Sequence, residues 1–376
     1  MKNIVGQVAT GEKFFNRKND IRKLWGKIRS GSNVLISAPR RTGKTSILYY
    51  LKDNPEEGYS ILYLDTESVD SCNEFFRKIY NHLLTESDEQ LKIKLVEMAK
   101  TLGKKIDEVG KTIKLGDKEL DYYEELVLLM KKLDLKDQKI IIIIDEFAQT
   151  LQNILKDDEK KAVSFLEKNR TLRQSPDINK NIQFIYAGSI GLENVASSID
   201  GSKYINDINS HTLRPLNREE AKELIKFILD GEPLINDKTI DYILNKLHEF
   251  VPYYIQIIIQ EIHEAGFSGT DSEIDTIFEE IVKKRIYFEH WHARLKSYKS
   301  NEYKFAKTVL NIASEKEFVS SEVIYDKAVE FELNSDHKAI INALIYDGYI
   351  NNDENPSTYK FNSPLLKMWW CKNVAN

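Results

Sequence analysis

Between Val34-Leu35-Ile36 and Ile47-Leu48-Tyr49-Tyr50-Leu51 the chain reads Ser37-Ala38-Pro39-Arg40-Arg41-Thr42-Gly43-Lys44-Thr45-Ser46, and no other stretch restricts the possible folds as strongly. A short apolar run, a loop holding proline and glycine, and an apolar pattern of helical spacing predict a strand, a tight turn and a helix in immediate succession. The helix begins at Gly43-Lys44-Thr45, so backbone N–H groups and the positive end of a helix converge on one small volume, as a polyphosphate requires. The spacing is that of a Walker A phosphate loop, GxxxxGK[ST], with Ala38 in place of the first glycine. In such a loop Gly43 lets the backbone approach the phosphates, Lys44 reaches their β and γ oxygens and the Thr45 hydroxyl ligates Mg²⁺. Pro39, Arg40, Arg41, Thr42 and Ser46 complete the set expected around the nucleotide. Alanine at position 38 costs little if that position needs no positive φ. A Gly-Lys-Thr helix start without a ligand is the competing reading.

The 376 residues suffice for two or three domains. An apolar fraction of 41%, a charged fraction of 30% and a net charge of −5 describe a globular chain that advertises neither nucleic-acid nor membrane binding. The only cysteines, Cys72 and Cys371, form no CxxC and no disulfide framework, which fits a reducing compartment. Met1 to Gln7 carries no apolar core of a secretory signal, and the apolar run Ile140 to Ile144 is far too short to cross a bilayer. The expectation is a cytoplasmic protein.

Ile21, Leu24, Trp25 and Ile28 repeat at helical spacing ahead of the first strand. After the phosphate loop, Ser60 to Leu64 reads as a buried strand and Cys72 to Leu84 as a helix, so the sheet is built of β-α-β units and is parallel. Residues from about Thr85 to Gly116 read as a charged helical surface insertion, and Tyr122 to Leu135 as an amphipathic helix. Lys139 to Asp145 contains five consecutive isoleucines, a central strand covered on both faces. It ends in Asp145-Glu146, a Walker B pair at the ligand edge of the sheet. Asp145 would hold Mg²⁺ through water and Glu146 would orient and deprotonate the attacking water, unless the pair merely starts a helix. A strand from Ile182 to Gly188 delivers Ser189 to the same edge, either as a sensor of the γ-phosphate or attacking water or as a cap for the helix near Leu192. His211 to Arg214 closes the core as a last short strand, followed by Pro215.

From Asn217 helices follow without strands through Ile262, a small helical lid beginning at a capped start. A Gly/Ser turn at Gly266 to Ser272 precedes one long helix from about Glu273 to Tyr298. Tyr303 to Ala313, Ser321 to Phe331 and Asp336 to Tyr346 are helical, and Gly348-Tyr349-Ile350 with Thr358 to Phe361 supply a hairpin, which together describe a winged helix. A closing helix runs from Pro364 to Trp370. The expected division is a core of 1–215, a helical lid of 216–266, a linker helix of 267–300 and a winged-helix domain of 301–376.

Phe15-Asn16-Arg17, the phosphate loop, Ile144-Asp145-Glu146, Ala187 to Leu192, Leu216, Val251-Pro252-Tyr253-Tyr254, Asp347-Gly348-Tyr349-Ile350 and Ser363-Pro364-Leu365-Leu366 follow one another in an order that resembles the prokaryotic STAND/AAA+ ATPases of the archaeal type. The resemblance spans nearly the whole chain. It implies an α/β P-loop NTPase core, a helical lid and a winged helix around one nucleotide, with ATP-for-ADP exchange opening or assembling the molecule. Carried over by position, Arg17 would lie near the adenine, Lys44 and Thr45 on phosphates and Mg²⁺, Asp145 and Glu146 at metal and water, Ser189 as sensor, and Pro252 against the base. Asn16 and Phe250 stand where that pattern has glycine, so its departures fall on the adenine side.

Rings of this type often place a trans-acting arginine between the sensor strand and the last strand, yet Ile190 to Leu213 holds no arginine. Arg170 or Arg173 would then supply the cation that transition-state charge calls for, with Arg173 the chosen catalytic candidate, unless both are surface charges. The winged-helix segment carries eight lysines, no arginine and eleven acidic residues, a net −3 that disfavours DNA as its partner. The basic, aromatic stretch from Lys283 to Lys299 reads more simply as an interdomain helix than as a single-strand binder. The sequence therefore describes a Mg²⁺-dependent, slow ATPase switch using ATP and ADP, acting with a protein partner or by self-assembly. A DNA-associated AAA+ ATPase is the alternative, and a metabolic phosphotransferase lacks an acceptor-binding insertion.

Overall fold

In the computed structural model the five isoleucines Ile140 to Ile144 are completely buried, as befits a strand inside a sheet with a neighbour on either side. The structure describes residues 2–15, 17–87, 89–101, 120–136, 138–189, 191–232, 235–266, 269–296, 298–352 and 355–375. Asn16, Ile190, Phe267, Ser268 and the later half of the expected 85–116 insertion lie outside the described residues. The chain divides into two compact units, one of residues 16–38 and 44–213, the other of residues 1–15, 39–43 and 214–376.

The first unit runs α1 (Lys18–Arg29), β1 (Val34–Ser37), α2 (Lys44–Asp53), β2 (Tyr59–Asp65), α3 (Cys72–Thr85), α4 (Glu89–Thr101), α5 (Tyr122–Lys132), β3 (Lys139–Asp145), α6 (Phe147–Asp157), α7 (Glu159–Gln174), α8 (Pro176–Asn179), β4 (Ile182–Gly188), α9 (Leu192–Ser197) and β5 (Asn209–Thr212). The five strands are all parallel, in the order β2-β3-β4-β1-β5. Helices alternate with the strands, and that alternation forces parallel pairing. Ser71, Asp121 and Asp158 cap α3, α5 and α7 with their side-chain oxygens, fixing where each helix starts. Phe75, Phe76, Phe147 and Phe165 pack edge-on and stacked in the core beside the sheet. The last strand runs two residues earlier than its sequence suggests, because Asn209 to Thr212 is the stretch in register with Val34 to Ser37.

The second unit contains α10 (Arg218–Leu229), α11 (Asp237–Leu247), α12 (Pro252–Ala265), α13 (Asp271–Lys283), α14 (Glu289–Leu295), α15 (Ser300–Glu315), β6 (Val319–Ser320), α16 (Ser321–Glu330), α17 (His337–Tyr346), β7 (Ile350–Asn351), β8 (Thr358–Phe361) and α18 (Pro364–Trp370). One continuous apolar core runs from Leu216 to Val374. Capping boxes at Asn217/Glu220 and Thr270/Glu273 start α10 and α13, and Pro252 occupies the first turn of α12, where its missing N–H costs nothing. Three short strands pair antiparallel in the order β6-β8-β7 beside α15, α16 and α17.

The single helix expected from Glu273 to Tyr298 is instead broken. Lys284 is extended (φ −83°, ψ 99°), Arg285–Tyr287 form a 3₁₀ turn, and α14 follows. At the break the buried Glu261 on α12 accepts hydrogen bonds from Lys284 Nζ (2.6 Å to each oxygen) and from the Tyr287 hydroxyl (2.6 Å), which pins this segment to α12.

Candidate functional site

The parallel register β2-β3-β4-β1 brings the ends of these strands to one edge of the sheet, where the chain places a cation, two carboxylates and two hydroxyls. Lys44 is the first residue of α2, and its ammonium is almost wholly buried. Its Nζ donates to Asp145 Oδ1 and to Glu146 Oε1 (2.9 Å). Burial alone would lower the Lys44 pKa, but the charges of Asp145 and Glu146 outweigh it and raise it above the ordinary lysine value.

Asp145 ends β3 with its side chain only 4% exposed. Oδ2 accepts hydrogen bonds from the Thr45 hydroxyl (3.3 Å) and the Tyr63 hydroxyl (3.1 Å), and Oδ1 accepts one from the Glu146 backbone N–H (3.0 Å). Its carbonyl accepts the Thr66 hydroxyl (2.9 Å), and the Thr150 hydroxyl on α6 donates to the Thr66 carbonyl (2.7 Å), so β2, β3 and α6 are tied at this corner. The Tyr63 pKa is raised, first by burial and then by the adjacent Asp145 charge, so the phenol stays a proton donor.

Glu146 sits in the left-handed region at φ 58°, a conformation that costs a non-glycine residue about 1–3 kcal/mol. Glu146 Oε2 accepts both the backbone N–H and the hydroxyl of Ser189 (2.9 Å each). Burial pushes the Glu146 pKa up, but the Lys44 charge and the two Ser189 donors prevail and hold it below the ordinary value. Ser189 is therefore a direct partner of Glu146. It does not cap α9, whose flanking residue Gly191 offers no side chain.

The loop before Lys44 uses two left-handed positions, Arg41 at φ 68° and Gly43 at φ 94°. Ala38 is not among the positive-φ residues, so its departure from the motif carries no backbone penalty. Thr42 is buried and its hydroxyl donates to the Pro39 carbonyl (2.8 Å), closing the turn internally. Ser46 follows on the first turn of α2. Arg40 and Arg41 lie with Tyr253, His290 and Asp347 in the second unit.

The remaining expected residues stand elsewhere. Arg17 is buried and ion-pairs with Asp20 (3.4 Å), which also faces His211 (3.2 Å). Pro252 opens α12 in the other unit. Arg170 donates to the Lys203 carbonyl. Arg173 is almost completely buried, donates to both oxygens of Asp207 (2.9 Å each), to the Tyr204 carbonyl (2.5 Å) and to the Tyr186 hydroxyl (3.2 Å), and makes no hydrogen bond to Lys44, Asp145, Glu146 or Ser189. Its guanidinium is committed to holding the segment before β5. Tyr63 and Thr66 complete the site without a sequence motif. The one available signal was a tyrosine two residues before Asp65, which the register pairs with Asp145.

A buried ammonium, a hydroxyl within hydrogen-bond reach of a carboxylate, and a glycine at positive φ form the donor set that a Mg²⁺-bound polyphosphate uses. Mg²⁺ commonly takes only one or two carboxylates besides phosphate oxygens. Among the described residues no cluster of three or more His, Cys, Asp or Glu side chains could hold a metal. No helix among them is long and apolar enough to cross a membrane.

No family model and no curated protein matches the sequence. Among solved structures, the chain is similar to a Walker-type ATPase of Pyrococcus abyssi, with TM-score 0.66 and 16% identity over 98% of this chain and 99% of that one. It is also similar to the ORC2 protein of Aeropyrum pernix, determined as ADPNP-ADP complexes, with TM-score 0.51 and 12% identity over 95% and 93% of the two chains. At such identities the likeness is one of fold: this chain shares with these two structures an α/β P-loop fold, here built on a parallel five-stranded sheet.

Proposed function

We propose that this protein binds ATP with Mg²⁺ at Lys44, Thr45 and Asp145, hydrolyses it slowly, and uses the change of nucleotide as a molecular switch of STAND/AAA+ type. The carrying observation is the network of the buried Lys44 and Asp145 with the half-buried Glu146 and Ser189 at the end of three neighbouring strands. Lys44 would leave the carboxylates for the β and γ oxygens of the nucleotide. Thr45 and Asp145 would hold Mg²⁺, which when bound supplies positive charge to the phosphate oxygens. Glu146, released from Lys44, would accept the proton of the water whose oxygen attacks the γ-phosphorus as the bond to ADP breaks. Ser189 keeps one donor pair on Glu146 and sets its direction. Arg173, committed to Asp207, takes no part in this step.

The P-loop fold and the resemblance of Val251-Pro252 and Asp347-Gly348-Tyr349 to lid and winged-helix motifs support a switch that changes the arrangement of the core and the C-terminal part, with a protein partner or a second copy as its target. The net −3 of residues 301–376 opposes DNA as that target. Mg²⁺-dependent ATP hydrolysis by the wild type, Lys44→Ala and Glu146→Gln, each with and without duplex and single-stranded DNA at low salt, tests the reading. The expected result is turnover lost in both variants, binding kept by Glu146→Gln, and no stimulation by DNA. Normal hydrolysis by Glu146→Gln would remove the assigned base, and strong DNA stimulation would favour a DNA-associated ATPase.

A further inference from the structure

At φ 68° Arg41 is the second left-handed position of the phosphate loop, and unlike Gly43 it has a side chain that disfavours that backbone. The side chain is held three ways within the unit that contains residues 39–43. Its guanidinium carbon lies 4.8 Å from the centre of the Tyr253 ring, one N–H donates to the Gly6 carbonyl (3.3 Å), and Nε donates to His290 Nε2 (3.4 Å). Tyr253 is itself fixed, since its hydroxyl donates to the Tyr287 carbonyl (3.0 Å) and the rings of His290 and Trp291 pack around it. Tyr287 is anchored by the buried Glu261. His290 accepts from Arg41 only as a neutral imidazole, and burial together with Arg41 and Arg40 pushes its pKa down to about 3, so it is neutral at ordinary pH.

We propose that Arg41 is a positioning residue: clasped by Gly6, Tyr253 and His290, it holds the phosphate loop in the left-handed turn that receives the nucleotide. Nucleotide affinity then depends on the N-terminal segment and on α12, far along the chain. This inference rests on the nucleotide-binding reading above. Without the clasp a side-chain-bearing residue 41 leaves the left-handed region, and the nucleotide must restore it. The intrinsic preference against that backbone corresponds to a roughly five- to thirtyfold loss of affinity. Glycine at position 41 adopts the same backbone without a clasp.

The test is a titration of fluorescently labelled ATP with Mg²⁺ against the wild type, Arg41→Ala, Arg41→Gly, Tyr253→Leu and the double variant Arg41→Gly/Tyr253→Leu, with nucleotide-free melting temperatures measured in parallel. Arg41→Ala and Tyr253→Leu should each bind roughly five- to thirtyfold more weakly, Arg41→Gly should recover most of the loss, and Tyr253→Leu should add nothing in the Arg41→Gly background. Equal losses in Arg41→Ala and Arg41→Gly would overturn the proposal, because the guanidinium itself would then be serving the ligand. An unaffected Tyr253→Leu would overturn it as well. If no variant binds ATP, the wild type included, the nucleotide reading fails on its own, and the clasp is decided by the melts: non-additive losses for Arg41→Gly, Tyr253→Leu and their double variant support it, and additive losses refute it.

Discussion

Replacing Lys44 by alanine should destabilise the nucleotide-free protein in a way that depends on pH. The ammonium is the shared partner of Asp145 and Glu146, whose side chains are 4% and 17% exposed. Removing one member of a buried ion pair leaves an uncompensated charge at a cost of about 3–5 kcal/mol. For the 16–38 and 44–213 unit, of a size at which each kcal/mol moves the melting point by about 2–4 °C, that is a drop of roughly 6–20 °C near neutral pH. In the wild type Glu146 has its pKa held below the ordinary 4.5, so its contribution is present above that value and is lost as pH falls through the folded-state pKa. In the variant burial is no longer opposed by the Lys44 charge, so the Glu146 pKa rises relative to wild type and the ionised carboxyl costs stability at neutral pH that its protonation in acid relieves. The gap between the two proteins should therefore be widest at neutral pH and narrow toward pH 4. Circular dichroism melts of the nucleotide-free proteins across this range measure it. A gap that is constant with pH, or that widens in acid, would refute the account of Lys44 as the counterion of two buried carboxylates.

Ser189→Ala removes one of the two Ser189 donors to Glu146 and should cost about 1 kcal/mol of stability. It should also raise the Glu146 pKa, so the acidic limb of the ATPase pH profile moves to higher pH; a limb that stays put or moves down would contradict the pairing. Arg173→Met should lower stability by about 3 kcal/mol through the stranded Asp207, while turnover per folded molecule stays close to wild type. A large loss of turnover without a stability change would return Arg173 to a catalytic role.

The site was legible wherever a chemistry-bearing residue follows an apolar strand, directly or across a loop of recognisable motif. Lys44 and Thr45 after Val34 to Ser37, Asp145 and Glu146 after five isoleucines, and Ser189 after Ile182 to Gly188 meet at one edge because parallel strands share their C-terminal direction. What could not be read were choices made between distant residues. The Tyr63 hydroxyl reaches Asp145 only through the register that sets Asp65 opposite Asp145. Arg173 is claimed by Asp207 across a loop, and Lys284 at the break pairs with Glu261 on another helix. The strand Val319–Ser320 is two residues long, too short for any alternation to show, and exists because Thr358–Phe361 offers it an edge. The left-handed backbones of Glu146 and Arg41 are likewise invisible in a pattern of residue types, since neither is glycine.

The central claim is that the bound nucleotide, through Glu146-dependent hydrolysis, selects between two arrangements of the molecule. A ligand shifts such an equilibrium only by its different affinities for the two states, so ATP and ADP must leave distinguishable shapes or assemblies. The most direct measurement is small-angle X-ray scattering of Glu146→Gln, in which ATP persists, in the presence of Mg²⁺-ATP and of Mg²⁺-ADP. The account predicts two different scattering profiles, in radius of gyration or in oligomeric mass. Superimposable profiles at saturating concentrations of both nucleotides would contradict it.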